Sequence, residues 1–147
     1  MGAKVQVLTL FVATPTFAGP AAPLTDVQFY AVTSDGNNYN WENIYNKISP
    51  TISLTGTEGV FAIYLEGYED PYSFRIYNNG FDITSKTYEP IPPTYYTDSY
   101  SVVYAKMVYK AFKLSDVSTG NFTVKATSLT YPFTTWSDQM YEQVNLS

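Results

Sequence analysis

The feature that most constrains the fold is a succession of short runs rich in β-branched and aromatic residues, each bounded by turn-forming residues. Such side chains fit a half-buried pleated surface, and regular spacing of short runs is typical of all-β sandwiches. Aromatic residues make up 18 % of the chain and charged residues only 14 %. We predict about eight strands, within the segments 26–33, 51–55, 60–66, 73–84, 99–113, 121–129 and 140–146.

The clearest local signal is the pair Asn79-Gly80 between two apolar runs in segment 73–84. Asn-Gly is the preferred sequence of a two-residue type I′ hairpin turn, so Ile76 should face Ile83. The predicted core face of this hairpin consists of Phe74, Ile76, Phe81 and Ile83. The predicted outer face consists of Arg75, Tyr77, Asp82 and Thr84.

Segment 99–113 allows two interpretations. Several of its apolar and basic residues follow helical spacing, but its β-branched and aromatic content favours a strand. With this strand, we predict that residues 26–147 form one β-sandwich domain of jelly-roll type. Residues 1–25 would precede it as an N-terminal extension strand with a proline-rich spacer.

The run at 4–13 is the most apolar part of the chain, and both of its faces are apolar. A strand with two apolar faces is buried on both sides. As a strand, the run could belong to its own domain or be donated to a neighbouring subunit. As an apolar N-terminal segment, it could instead be the core of a signal peptide cleaved after Thr16-Phe17-Ala18. We favour the donated strand, with the interface residues Val5, Val7, Leu8, Leu10, Phe11 and Val12.

The spacer at 14–24 supports donation, because three prolines in eleven residues favour an extended chain. At about 3.1 Å per residue it would reach roughly 34 Å, far enough to place the run in the sheet of another subunit. The run itself is too short to cross a membrane as a helix.

Composition argues against several functions. The chain contains no Cys and no His, which excludes disulfides and removes the usual general base and zinc ligand. Its net charge of −5 disfavours nucleic acid as a partner. We therefore predict a protein that is not an enzyme and has no catalytic residues.

Two acidic loops suggest a hard cation, because calcium binds carboxylate, amide and carbonyl oxygens. We predict calcium ligands at Asp35, Asn37 and Glu42 in one loop and at Glu66, Glu69 and Asp70 in the other. The alternatives are an Asx-rich turn in the first loop and a solvated acidic turn in the second.

Other interpretations remain open. Trp41, Trp136 and the tyrosines could stack on sugars in a calcium-dependent carbohydrate-binding module, and two carboxylates across a cleft could form a glycosidase pair. Asn121 and Asn145 begin glycosylation sequons, which would fit an exported protein.

Several phrases along the chain resemble the cannula proteins, the subunits of extracellular nanotubes of hyperthermophilic archaea. They are VQFYAVTSDG (27–36), NIYNKISPTISLTG (43–56), FAIYLEG (61–67), FRIYNNGFDIT (74–84) and SVVYAKMVYKAFK (101–113). The resemblance implies a jelly-roll subunit, exchange of an N-terminal donor strand and calcium at subunit interfaces. The expected function is therefore an extracellular structural subunit that binds copies of itself. A subunit of a bundling pilus is an alternative.

Overall fold

A computed structural model of the chain describes residues 21–45, 47 and 49–146. The predicted run at 4–13 and its donor residues lie outside these residues. Nearly all regular structure is β, which confirms the predicted all-β sandwich. The strands are β1 (Asp26–Ser34), β2 (Glu42–Asn43), β3 (Leu54–Gly56), β4 (Glu58–Glu66), β5 (Arg75–Asn78), β6 (Phe81–Asp82), β7 (Thr94–Thr97), β8 (Val103–Lys113), β9 (Gly120–Thr127), β10 (Thr135–Glu142) and β11 (Val144–Leu146).

Short 3₁₀ turns connect several strands, at Asp35–Asn37, Pro71–Ser73, Thr84–Lys86 and Leu114–Asp116. One sheet has five strands in the order β2-β1-β4-β8-β7, and a second has four in the order β10-β9-β5-β6. Strands β3 and β11 pair in parallel beside them. Segment 99–113 contains the long strand β8, so its strand interpretation is confirmed.

The two sheets pack against each other through aromatic rings. Phe61 of β4 lies at the centre, with ring centroids 5.3 Å from Phe29 and 4.7 Å from Phe112 in its own sheet. Its ring also lies 5.1 Å from Phe122 of β9, in the opposite sheet. Because the inward positions of both sheets are apolar, they form one continuous core between the layers.

The hairpin at Asn79-Gly80 has the predicted register, since Ile83 N–H donates to the Ile76 carbonyl at 2.9 Å. The outer pair also forms, with Arg75 Nε 3.7 Å from the Asp82 carboxylate. The core prediction for Phe81 is wrong, because its ring is 75 % exposed. Strand β6 has only two residues at the edge of its sheet, so its tip extends beyond the core.

The end of the spacer lies against the domain. Leu24 is buried, and its N–H donates to Ser128 Oγ at 3.0 Å. The carbonyl of Ala22 accepts from Tyr68 N–H at 3.0 Å, and the carbonyl of Ala21 accepts from Thr130 Oγ1 at 3.1 Å. These bonds hold residues 21–24 in place before β1 begins.

Candidate functional site

Asp35, the first predicted calcium ligand, binds the chain's own backbone. Its Oδ1 accepts from the N–H groups of Gly36 at 3.0 Å, Thr57 at 2.9 Å and Glu58 at 3.0 Å. Its Oδ2 accepts from Thr57 Oγ1 at 2.7 Å. The hydrogen bonds from Glu58 and Thr57 lower the pKa of Asp35 to about 2. Asp35 therefore fastens the turn between β3 and β4.

The other two residues of this loop also have partners within the chain. Asn37 Nδ2 donates to Ser34 Oγ at 2.9 Å and to the Ser53 carbonyl at 3.0 Å. Glu42 accepts from the N–H and Oγ1 of Thr51, at 2.8 and 2.7 Å, and from Ile52 N–H at 3.2 Å. Burial acts to raise the pKa of Glu42, but these hydrogen bonds and the charge of Lys47 hold it below its usual value.

The second acidic loop does not bring its carboxylates to one point. Glu66 accepts from Tyr64 Oη at 3.1 Å, and Glu69 forms an ion pair with Lys106 at 3.1 Å. Asp70 accepts from Tyr72 N–H at 2.9 Å. Within residues 21–45, 47 and 49–146, no three carboxylates lie together as a metal site. Calcium binding by the six predicted ligands stays a prediction.

The outward side of the five-stranded sheet carries six aromatic rings, here called the outer aromatic face. Beneath the rings lie three small or flexible buried side chains, Ala31, Ala62 and Met107. Strand neighbours are about 4.8 Å apart, so the five strands present a surface about 19 Å wide. The rings of the face belong to Tyr30, Trp41, Tyr45, Tyr64, Tyr96 and Tyr109.

The rings of the outer aromatic face form pairs. Trp41 is 46 % exposed, and its ring centroid lies 6.1 Å from that of the half-buried Tyr109. Tyr45 is 41 % exposed and lies 5.5 Å from Tyr30, which is also half-buried. Each of these two exposed rings therefore lies within aromatic contact distance of a half-buried ring.

Polar groups border these rings. Thr94 Oγ1 and Tyr109 Oη lie 3.0 Å apart, and Tyr64 Oη donates to Glu66. Asp26 pairs with Glu66 across β1 and β4, and it accepts from Gln28 Nε2 at 3.0 Å. Burial, with a contribution from the charge of Glu66, raises the pKa of Asp26. The face thus combines exposed rings with fixed hydrogen-bonding groups.

Sequence reasoning identified only part of this face. Trp41 was a candidate, but the structure places Trp136 at the start of β10, in the other sheet. The tyrosines of β4, β7 and β8 were not singled out. The signal was present in β4, where Ala62 and Tyr64 share the side of the strand opposite to Phe61 and Ile63.

A second polar site lies at the other end of β4. The two carboxylate oxygens of Glu58 accept from Tyr39 Oη, at 2.7 Å, and from Tyr88 Oη. These hydrogen bonds to Glu58 raise the pKa of both tyrosines to about 12. The three residues line an open cleft of about 510 Å³ with Lys113, which pairs with Glu58 in the β4–β8 register.

Comparison with protein families provides a match over most of the chain. The model of a family described as "Domain of unknown function (DUF4879)" matches residues 19–141. No curated protein matches the chain. The family match begins directly after the candidate cleavage site at Ala18, so the apolar run at 4–13 lies outside it. Among the described residues, no helix is long and apolar enough to cross a membrane.

Proposed function

The chain belongs to the DUF4879 family, and we propose that it is an exported β-sandwich module that binds polysaccharide on its outer aromatic face. The observation that carries the proposal is that two exposed rings, Trp41 and Tyr45, each pair with a half-buried ring on the same side of one sheet. Export is supported by the candidate signal-peptide features of the run at 4–13 and by the family match that begins at residue 19.

The chemistry of the face suits a sugar chain. Sugar rings present flat C–H surfaces, which pack against aromatic rings, and hydroxyl groups at their edges. Tyr and Trp side chains have an apolar body and a polar end, so they can contact both. Trp41 and Tyr45 provide the exposed rings, while Asp26 and Glu66 lie at the border as acceptors for hydroxyl groups.

The two tryptophans provide a matched experiment. Trp41→Ala removes the indole of the face, which is 46 % exposed, whereas Trp136→Ala removes the indole of β10 in the other sheet. Retardation of the protein in native gels that contain a soluble polysaccharide measures binding. An aromatic contact contributes about 0.5–1.5 kcal/mol beyond the area it buries, so Trp41→Ala should weaken binding about tenfold.

A panel of β-glucan, xylan, chitosan and pectin covers neutral, basic and acidic sugar chains. We expect retardation by at least one of them, lost in Trp41→Ala and retained in Trp136→Ala. Retardation by none, or equal loss in both variants, would contradict the proposal. We also expect no hydrolysis of the retained polymer, in line with the predicted absence of catalytic residues.

The predicted self-assembling subunit is a second proposal, favoured by the position of β10. Although Asp138 of β10 accepts from Phe29 N–H of β1 at 2.9 Å, only β9 among the described strands pairs with β10 in a backbone ladder. This strand has eight residues and is at the edge of its sheet. An edge strand presents unpaired backbone groups to which another strand can add. The apolar run at 4–13 is long enough to cover it. In this proposal the run of one subunit pairs with β10 of the next, and calcium promotes assembly.

Electron microscopy of the full chain and of a variant lacking residues 1–18 tests this second proposal, each with calcium and with a chelator. Filaments or tubes are expected only from the full chain. N-terminal sequencing of the protein secreted by its host is the matched control. A mature protein that begins at residue 19 would identify the run as a signal peptide and rule out donation.

A further inference from the structure

Glu142, the last residue of β10, is a buried carboxylate that lacks a full set of partners. Glu142 is only 2 % exposed. Oε2 accepts from Gln143 N–H at 3.0 Å. Oε1 is buried and has no hydrogen-bond partner within the described part of the chain. A buried ionised oxygen without a partner is costly, so the ionised form of Glu142 needs a further partner at Oε1.

A cavity of about 230 Å³ lies beside this carboxylate, between the end of β10 and the segment that leads into β3. Oxygen-bearing residues dominate its lining. They include Ser49, Thr51, Ser53, Glu142 and Gln143. The site thus offers hydroxyl, amide and backbone carbonyl oxygens within one small space.

The surroundings of the cavity are fixed and acidic. Glu42 holds the segment in place through its hydrogen bonds from Thr51 and Ile52, and Leu54 N–H donates to the Gln143 carbonyl at 2.8 Å. Burial, with a smaller contribution from the charge of Glu42, raises the pKa of Glu142 to about 8, so a cation that binds here must displace a proton. The ammonium group of Lys47, which is half exposed, lies 3.8 Å from the Glu42 carboxylate.

We propose that this cavity binds a hard divalent cation of the calcium class, with Glu142 Oε1 as an anchoring ligand. Calcium accepts carboxylate, amide, carbonyl and water oxygens in flexible arrangements, which matches the groups that line the cavity. Lys47 already pairs with Glu42, and no ion pair to Glu142 forms within the described residues. A cation would supply the missing charge and join β10 to the segment before β3.

This site differs from the two loops in which sequence reasoning placed calcium. Of those six residues only Glu42 lies beside the cavity, and its oxygens are occupied by Thr51 and Ile52. Glu142 itself was not a candidate, because a single acidic residue at a strand end has no signal in the sequence. The site does not depend on either proposed function.

The test compares the full chain with two variants, Glu142→Gln and the control Glu89→Gln. In the wild type, the Glu89 carboxylate is exposed and pairs with Lys110, and neither residue lines the cavity. Calorimetric titration with calcium chloride measures binding, and thermal unfolding measures its consequence. We expect one site with a dissociation constant on the order of 10⁻⁴–10⁻³ M and a rise in Tm with calcium. Magnesium should bind more weakly, because it gives up its water reluctantly.

Glu142→Gln should weaken calcium binding at least about tenfold and remove the rise in Tm, whereas Glu89→Gln should behave like the wild type. Equal responses in the two variants, or no calcium response in the wild type, would overturn the assignment. Should Glu142→Gln fail to fold, Ser53→Ala replaces it, since Ser53 lines the cavity at the end of the same segment. That variant must bind calcium less tightly than the wild type for the proposal to stand.

Discussion

Replacing Asp35 tests whether this carboxylate stabilises the turn between β3 and β4. In Asp35→Ala, the N–H groups of Gly36, Thr57 and Glu58 lose their shared acceptor, Oδ1. In Asp35→Asn, the amide oxygen can keep these three bonds, and the new amide nitrogen can donate to Thr57 Oγ1. The two variants therefore separate the loss of the acceptor from the loss of the charge.

The expected loss of unfolding free energy follows from the number of backbone N–H groups that Asp35 accepts from. A helix-capping side chain that satisfies one backbone N–H contributes about 1 kcal/mol. Asp35 satisfies three, so Asp35→Ala should lower the free energy of unfolding by about 2–3 kcal/mol, and Asp35→Asn by about 1 kcal/mol or less. For a chain of this size, 1 kcal/mol shifts Tm by about 2–4 °C, so the alanine variant should melt about 4–12 °C lower.

The effect of Asp35 should depend on pH in a defined direction. The folded-state pKa of Asp35 is lowered from 3.8 to about 2 by its hydrogen bonds. Its stabilisation is therefore complete above pH 3.8 and is lost as the pH falls through about 2. The difference in stability between wild type and Asp35→Asn should narrow over that interval.

Urea unfolding followed by circular dichroism at several pH values measures both effects, in one series with a chelator and in a second series with calcium. The reasoning is refuted if Asp35→Ala is as stable as the wild type. It is also refuted if the alanine variant loses stability only when calcium is present, because Asp35 would then act as a metal ligand.

Three further substitutions test the core packing and the turn at Gly56. Phe61→Ala should cost about 3–5 kcal/mol in urea unfolding, because Phe61 is fully buried between the sheets, whereas Phe81→Ala should change stability by no more than about 0.5 kcal/mol. Equal effects would contradict the central position of Phe61. Gly56→Ala should cost about 1–3 kcal/mol, because Gly56 has φ +98° and a Cβ there would meet Asp35 Oδ1. A Tm equal to that of the wild type would show that this turn tolerates a side chain.

The sequence by itself determined the features that depend on neighbouring residues. Alternating apolar positions and turn residues indicated a β-sandwich, and Asn79-Gly80 set the register of its hairpin, since a two-residue turn leaves one way to pair Ile76 with Ile83. The strand interpretation of β8 likewise followed from local side-chain preference.

Tertiary structure alone decided where each face ended and which polar groups met. Phe81 and Asn78 share a side of the hairpin, yet Phe81 is exposed while Asn78 is only 5 % exposed and donates to the Ser118 carbonyl at 3.0 Å. Glu142 is buried because the segment before β3, about ninety positions earlier in the chain, lies over the end of β10. Local patterns carry no information about such distant contacts, because burial and charge pairing depend on which strands the fold brings together.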